Sequence, residues 1–343
     1  MSQRSIDWET PLDHTKPCNV VAGIDEAGLG PMLGPLTLGV AAFRVPQGRA
    51  DMDLWHELSA ATCAERPKDE RLWVADSKAV FDRSARGMAR LESTALAFLA
   101  QQGDGSGAPA TPADLLSRGP GQFPSDTPAL RAHPWYAQLP QSLPTAANPE
   151  RLARQSAQLA DALRKAGVGL VEAGLRLVPT AQLNASFDAT GSKARTAWDQ
   201  VALALTALWT AYGSEGLLVW VDRQGARKRY APLLAELCPQ AEIRTLKESS
   251  LECVYRLQGQ GRHMELRFAV RAEEQALPVA LASCLAKYGR ELAMDAFNAY
   301  FHARSPKLRP TAGYVVDARR WLDDAKQVLI ETPIPPRSLV RER

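Results

Sequence analysis

Two short apolar runs in this chain stop at aspartate. Val20-Val21-Ala22-Gly23-Ile24 runs into Asp25-Glu26, and Leu217-Leu218-Val219-Trp220-Val221 runs into Asp222. Short apolar runs bounded by turn residues read as buried strands. The carboxyl ends of strands are where open α/β sheets place their ligands. After the first acid pair comes the glycine-rich turn Ala27-Gly28-Leu29-Gly30-Pro31, then a second apolar run from Leu36 to Val45. The link of about ten residues is too short for a βαβ crossover, so the spacing predicts an antiparallel hairpin.

Further elements follow from periodicity and punctuation. Residues 51–64 and 82–101 read as helices. Asn148-Pro149 is a cap followed by proline, which predicts a helix to about Lys165 that stops at Gly167. Strands are expected at 168–178, 217–221 and 241–246, and a helix at 194–212. Residues 251–257 and 264–270 flank Gln-Gly-Gln-Gly, which suggests a hairpin. After the basic residues up to Arg229 a helix is expected to about Leu237, another over about 277–303, and a last one from about Val316. Strands mixed with helices predict an α/β domain on a mixed sheet.

Between Gly103 and Glu150 lie nine of the chain's 24 prolines. Such a stretch is neither a regular helix nor a central strand. It reads as a partly disordered surface insertion in which Trp135 and Tyr136 dock locally. The expected organisation is an N-terminal extension (1–17), a catalytic domain (18–325, with 103–150 as a flexible Pro/Gly-rich insertion) and a C-terminal tail (326–343).

Composition narrows the classes. Of 343 residues, 45% are hydrophobic and 23% charged, which excludes a wholly disordered or fibrous chain. The net charge of +3 is too mild to indicate a nucleic-acid partner, so any electrostatic footprint must be local. Five widely spaced cysteines with no Cys-x-x-Cys support neither a zinc site nor a disulfide framework. Reduced thiols, no apolar leader and no long apolar run predict a cytoplasmic protein without a membrane contact.

The acids carry the chemistry. Asp25 and Glu26 point to opposite faces of an extended strand unless the strand end bends. Asp222 can join them if its strand lies alongside, and Arg271-Ala272-Glu273-Glu274 offers a third acidic station before the long helix. Converging carboxylates repel one another unless a cation sits among them, and oxygen ligands favour Mg²⁺ or Mn²⁺. That set suggests two-metal hydrolysis of a phosphodiester. Two plainer roles stand beside it: an aspartate that ends a strand also serves as a turn or cap residue, and Glu273 suits a helix N-terminus.

The segment Gly23-Ile24-Asp25-Glu26-Ala27-Gly28-Leu29-Gly30-Pro31, with Gly34-Pro35, closely resembles the opening motif of type 2 ribonucleases H, the HII and HIII group. Asp76-Ser77-Lys78, Leu218-Val219-Trp220-Val221-Asp222 and the segment from Arg271 to Tyr288 resemble three further family elements, in the family's order. Glu at the fourth acidic position looks more like HIII than HII, which uses Asp. Asn184, Lys193-Ala194, Trp198, Pro310 and Val316-Asp317 lean the same way. The resemblance covers about residues 18–102 and 168–325.

It implies a ribonuclease H-like mixed central sheet flanked by helices, with C-terminal helices. It implies that Asp25, Glu26, Asp222 and Glu273 are the catalytic, metal-binding carboxylates, holding two Mg²⁺ or Mn²⁺ ions. The backbone of Gly28, Leu29 and Gly30 would approach the ribose 2′-hydroxyl, and Lys78 would reach a phosphate. Such a protein cuts the RNA strand of RNA–DNA hybrids, or DNA with embedded ribonucleotides, leaving 3′-hydroxyl and 5′-phosphate ends, and is expected to be a monomer. A module of the same fold that binds without cutting, or a nuclease for another nucleic-acid structure, are the alternatives.

Several features depart from the family. HII has Arg where this chain has Leu29. HIII carries an N-terminal substrate-binding domain, where about 17 residues precede the first strand here. Gly313-Tyr314 is similar to the C-terminal Gly-Tyr of HII, whose tyrosine stacks on substrate, but its flanks differ, and a packed core tyrosine is the competing reading. Glu248 also ends a strand and competes with Glu273, which fits the family spacing without a gap. Arg227-Lys228-Arg229 and Arg319-Arg320-Trp321 are local basic clusters that either track phosphates or face solvent.

Overall fold

The computed structural model describes residues 17–103, 107–225 and 227–342. The expected N-terminal extension lies outside the described residues except for Pro17. Strands β1 (Val20–Ala27), β2 (Leu36–Arg44), β3 (Gly169–Val178), β4 (Leu217–Asp222), β5 (Glu242–Glu248), β6 (Glu252–Gly259) and β7 (Arg262–Ala269) form one seven-stranded sheet in the order β3-β2-β1-β4-β7-β6-β5. The β1–β2 pair is antiparallel, as the short link requires. Only β1–β4 and β4–β7 are parallel. The longer helices are α1 (Ala85–Leu99), α2 (Pro149–Ala166), α3 (Thr180–Thr190), α4 (Lys193–Tyr212), α5 (Ala231–Leu237), α6 (Leu277–His302) and α7 (Val315–Asp324). This is the mixed sheet flanked by helices that the sequence predicts.

Alternation along β1 divides the core. Val20, Ala22 and Ile24 pack with Val201, Leu205 and Leu208 of α4, while Val21 joins a second cluster with Leu281 and Leu285 of α6. Helix α6 touches the sheet backbone to backbone. A Cβ on Gly23 would stand 2.2 Å from the Pro278 carbonyl carbon, and one on Gly39 would stand 2.0 Å from the Ala282 carbonyl oxygen. Only glycine allows that approach.

Local signals place several ends. The Asn148 side chain accepts the Arg151 amide at 2.9 Å, and Gly167 takes the left-handed conformation that ends α2, φ 66°. The expected helix at 51–64 shrinks to Leu54–Glu57, because Thr62–Cys63 pairs with Leu72–Trp73 and buries Ala61 and Thr62. Helix α3 had no sequence signal beyond Leu183 and Phe187, its two buried apolar residues at i, i+4 spacing.

The described part of the 103–150 segment is packed, in contrast to the flexible insertion its composition suggests. Short helices at Pro112–Ser117 and Thr127–Arg131 are capped by Thr111 and Asp126. The segment lies across β3, an edge of the sheet: Arg176 donates to the Phe123 and Pro124 carbonyls, and the Leu177 amide donates to Ser125 Oγ at 3.0 Å. It thereby covers an edge that would otherwise offer unpaired backbone groups. Trp135 docks on α6, its ring 5.3 Å from Phe297. The residues expected to form a tail are also packed, with Val328, Leu339 and Arg341 buried.

Glu92 on α1 ties the end of the segment to the core. Its fully buried carboxylate accepts from the amides of Thr145, Ala146 and Ala147 at 2.7, 2.6 and 2.7 Å, and from the Tyr288 hydroxyl at 2.8 Å. Replacing an acceptor oxygen with an amide NH₂ confronts these donors with another donor. Glu92→Gln should therefore cost about 3 kcal/mol, read as a lower urea midpoint with an unchanged slope. A midpoint equal to that of the unmodified protein would contradict this account.

Candidate active site

The register of β1 against β4 brings the first acids together. Ile24 pairs with Val221, so the next residues, Asp25 and Asp222, are neighbours at the carboxyl ends of adjacent parallel strands. Both lie on the α6 face of the sheet, where Gly23 meets the start of that helix. Asp25 is buried and accepts the Glu26 amide at 2.7 Å. Glu26 has the opposite parity, yet at the strand end it also feels Asp222 and lies beside Gln224.

Glu273 arrives from the turn between β7 and α6. Arg271 adopts φ 55°, a left-handed conformation unusual for a side-chain-bearing residue. It directs the chain into a tight turn, Ala272–Glu274, whose Ala272 amide donates to Asp222 Oδ1 at 3.3 Å. Asp222 and Glu273 influence each other directly, and Asp76 adds a further negative neighbour to Glu273. Glu273 Oε2 is buried without a hydrogen-bond partner.

The electrostatics follow from burial and like charge. Burial first, then Asp222 and Glu26, raise Asp25 well above the usual carboxylate range, while Ser283 pulls it back. Burial and then Asp222 push Glu26 up to about 7. Asp222 and Glu273 are also raised, chiefly by burial. Lys78 opposes the repulsion: its exposed ammonium lowers both Asp222 and Glu273. Asp76 caps its own short turn by accepting the Lys78 amide at 3.0 Å, and Ser283 Oγ meets Ser77 Oγ at 3.0 Å. Helix α6 therefore fixes the Asp76-Ser77-Lys78 element against the acids.

Gly28, Leu29 and Gly30 continue directly from β1. Gly28 has φ +86°, and a Cβ there would stand 2.6 Å from the guanidinium of the buried Arg290. Arg290 donates to the carbonyls of Pro35 and Ala312, and the Met32 and Leu33 amides donate to the Gly313 carbonyl. Arg290 also lines a cleft of about 380 Å³ between α1, α6 and residues 310–314.

The structure thus brings Asp25, Glu26, Asp222, Glu273 and Lys78 together, with the glycine loop adjoining. It does not bring Glu248 to them. That residue ends β5, two strands beyond β4's neighbour β7 counting β6 and β5, and binds the Tyr255 hydroxyl at 2.6 Å. Tyr314 is 52% exposed on the rim of the cleft, which excludes the packed-core reading. Arg229 faces Glu248, and Arg320 is spent on Asp317 and Asp324 beside the buried Trp321. Sequence reasoning passed over Asp76 in its own motif, and Ser283 and Gln224. Asp76 and Ser283 lie inside recognised elements, and Gln224 follows one by two residues.

Among the described residues no three His, Cys, Asp or Glu side chains close on one point as a formed metal centre. The donor set nevertheless fits hard divalent cations: it is all oxygen, its charges repel, and Glu273 Oε2 lacks a partner. The fold and site define a mixed α/β protein with a carboxylate cluster at the ends of its central parallel strands. No family model matches the chain, and no curated protein matches it. Among solved structures it is similar to a chain of the PCNA:RNase HII complex from Archaeoglobus fulgidus (15% identity, 94% of each chain covered, TM-score 0.40). It is also similar to ribonuclease H2 from Pyrococcus horikoshii (16% identity, 93% of this chain and 92% of that one, TM-score 0.39). A third is Bst-RNase HIII in complex with Mn²⁺ (13% identity, 96% of this chain and 68% of that one, TM-score 0.39). Among the described residues no helix is long and apolar enough to cross a membrane.

The raised acids set a pH dependence. A carboxyl whose folded pKa exceeds its unfolded one holds its proton more tightly when folded, so stability falls as pH climbs between the two values. For Glu26 that window runs from the ordinary glutamate range to about 7, a loss of up to about 3 kcal/mol. Without divalent cations, Glu26→Gln should therefore melt a few degrees above the unmodified protein at pH 8 and show no advantage at pH 4. An advantage at pH 4 alone would reverse the assigned sign.

Proposed function

We propose that this chain is a metal-dependent endonuclease of the type 2 ribonuclease H group. Its substrate would be the RNA strand of an RNA–DNA hybrid, or a ribonucleotide embedded in DNA. The observation that carries the reading is the meeting of Asp25, Glu26, Asp222 and Glu273 beside a glycine loop. The pairing of those acids with an uncapped backbone loop suits a strand that must be held by its phosphate and checked at its sugar.

Asp25, Glu26, Asp222 and Glu273 would hold two Mg²⁺ or Mn²⁺ ions. Bound there, such ions supply Lewis-acid activation of the attacking water and of the leaving oxygen, giving 3′-hydroxyl and 5′-phosphate ends. The chain's own residues do the rest. Ser283 and the Asp222–Ala272 contact hold two of the acids in place. Lys78 offers an exposed cation to a substrate phosphate. The backbone at Gly28, Leu29 and Gly30 can come within hydrogen-bond reach of the 2′-hydroxyl that separates RNA from DNA.

Incubation with a labelled RNA–DNA hybrid, a DNA duplex carrying one ribonucleotide and an all-DNA duplex tests this. With Mg²⁺ or Mn²⁺ the hybrid's RNA strand should be cut and the all-DNA duplex left intact. Asp25→Asn should lower the rate by about 1000-fold or more. Cleavage of neither the hybrid nor the ribonucleotide-bearing duplex by a folded protein would overturn the proposal, and cleavage of none of the three would leave a binding module. A second measurement is independent of turnover: Mg²⁺ or Mn²⁺ should raise the melting temperature of the unmodified protein at pH 8 and should do so far less for Asp25→Asn. Equal shifts in the two proteins would remove these acids from the metal site.

A further inference from the structure

Two buried arginines lie against the glycine loop with no ion-pair partner among the described residues: Arg290 on α6, and Arg341. Arg341 is 5% exposed. Its guanidinium donates to the Gly28 and Leu29 carbonyls through Nη1, and to the Gly34 carbonyl through Nε at 3.0 Å and Nη2 at 2.6 Å. Burial, then the charge of Arg290, pulls it down to about 9, so it stays cationic at neutral pH.

The chain holds this residue in place deliberately. The Arg341 amide donates to the Met32 carbonyl at 3.0 Å, and Val340 bridges Leu33. Asn184 on α3 grips the segment from the other side. Its amide donates to the Arg337 and Val340 carbonyls, each at 2.8 Å, and its oxygen accepts the Glu342 amide at 3.0 Å.

Burying a guanidinium without a carboxylate is expensive, and here only carbonyl dipoles offset it. Those carbonyls are informative. The Gly28 carbonyl shares its peptide with the Leu29 amide, and the Leu29 carbonyl shares its peptide with the Gly30 amide. Donation to a carbonyl polarises the N–H of the same peptide and makes it a stronger donor. The Leu29 and Gly30 amides donate to nothing else among the described residues. Position 29 is leucine, so the loop brings no cation of its own.

We propose that Arg341 is a positioning residue that fixes the glycine loop and primes the Leu29 and Gly30 amides for the 2′-oxygen of an RNA strand, a role that rests on the nuclease reading above. It acts through the loop backbone and touches no substrate.

The test compares Arg341→Ala with the unmodified protein on the hybrid and the all-DNA duplex, with amide exchange measured on both proteins. Arg341→Ala should lose about tenfold or more in hybrid kcat, a fraction of the ~100-fold or more that removal of one preorganised donor costs, with KM moved much less. Millimolar guanidinium should restore part of that loss, which a general folding defect would not allow. The Met32 and Leu33 amides, which donate to the Gly313 carbonyl, should exchange faster in the variant. Should Arg341→Ala fail to fold, Asn184→Ala loosens the same segment while keeping the arginine, and the same kcat loss and faster loop exchange are expected. Wild-type rates in a folded Arg341→Ala, or a loss without guanidinium rescue and with unchanged loop exchange, would overturn the role. An unmodified protein that cuts neither duplex would instead overturn the nuclease reading, and this role with it.

Discussion

Helix α6 lies directly on the backbone of β1 and β2, and the candidate site depends on that contact. Gly23 and Gly39 leave no room for side chains between helix and sheet. The approach puts Ser283 beside Asp25 and Ser77, and starts the helix a few residues after Glu273. The same helix supplies Tyr288 to Glu92, Arg290 to the glycine loop and Phe297 to Trp135. A side chain at either glycine would lift the helix and disturb all of these at once.

The site holds acids in an arrangement the bare fold penalises. Burial raises all four carboxylates, acidic neighbours raise Asp25, Glu26 and Glu273 further, and Lys78 relieves only part of the strain at Asp222 and Glu273. The glycine loop shows the opposite imbalance, with two buried arginines that have no ion-pair partner among the described residues. Acids and arginines lie on either side of a short backbone turn. The substrate proposed above would meet that polarity with an anionic phosphate and a hydrogen-bonding sugar.

Much of this was legible in the sequence. The apolar runs ending in Asp25 and Asp222 gave β1 and β4, because buried strands carry a continuous apolar signal. Asn148-Pro149 and Gly167 marked the ends of α2, because caps have a local chemistry. Other features had no local trace. Proline and glycine content concealed the packed 107–147 segment, whose order comes from Glu92, Arg176 and α6, all distant in sequence. The short stretch at 51–64 lost its helix to a tertiary strand pairing. Arg341 looked like part of a charged tail, since nothing near it in sequence shows that it reaches the loop after β1. Glu248 and Glu273 both follow strands, and only the sheet order separates the edge from the centre.

The place of α6 in the sequence also bears on how the chain is made. Its first residue follows the end of β1 by about 250 residues. At ribosomal speeds of 5–20 residues per second, the hairpin would wait roughly ten seconds or longer for the surface that covers it. During that interval Trp135 lacks Phe297 and Glu92 lacks Tyr288, and apolar sheet face stays wet. Until the helix emerges, the nascent chain therefore carries exposed apolar sheet face, and its carboxylate cluster becomes complete only once Glu273 has been made.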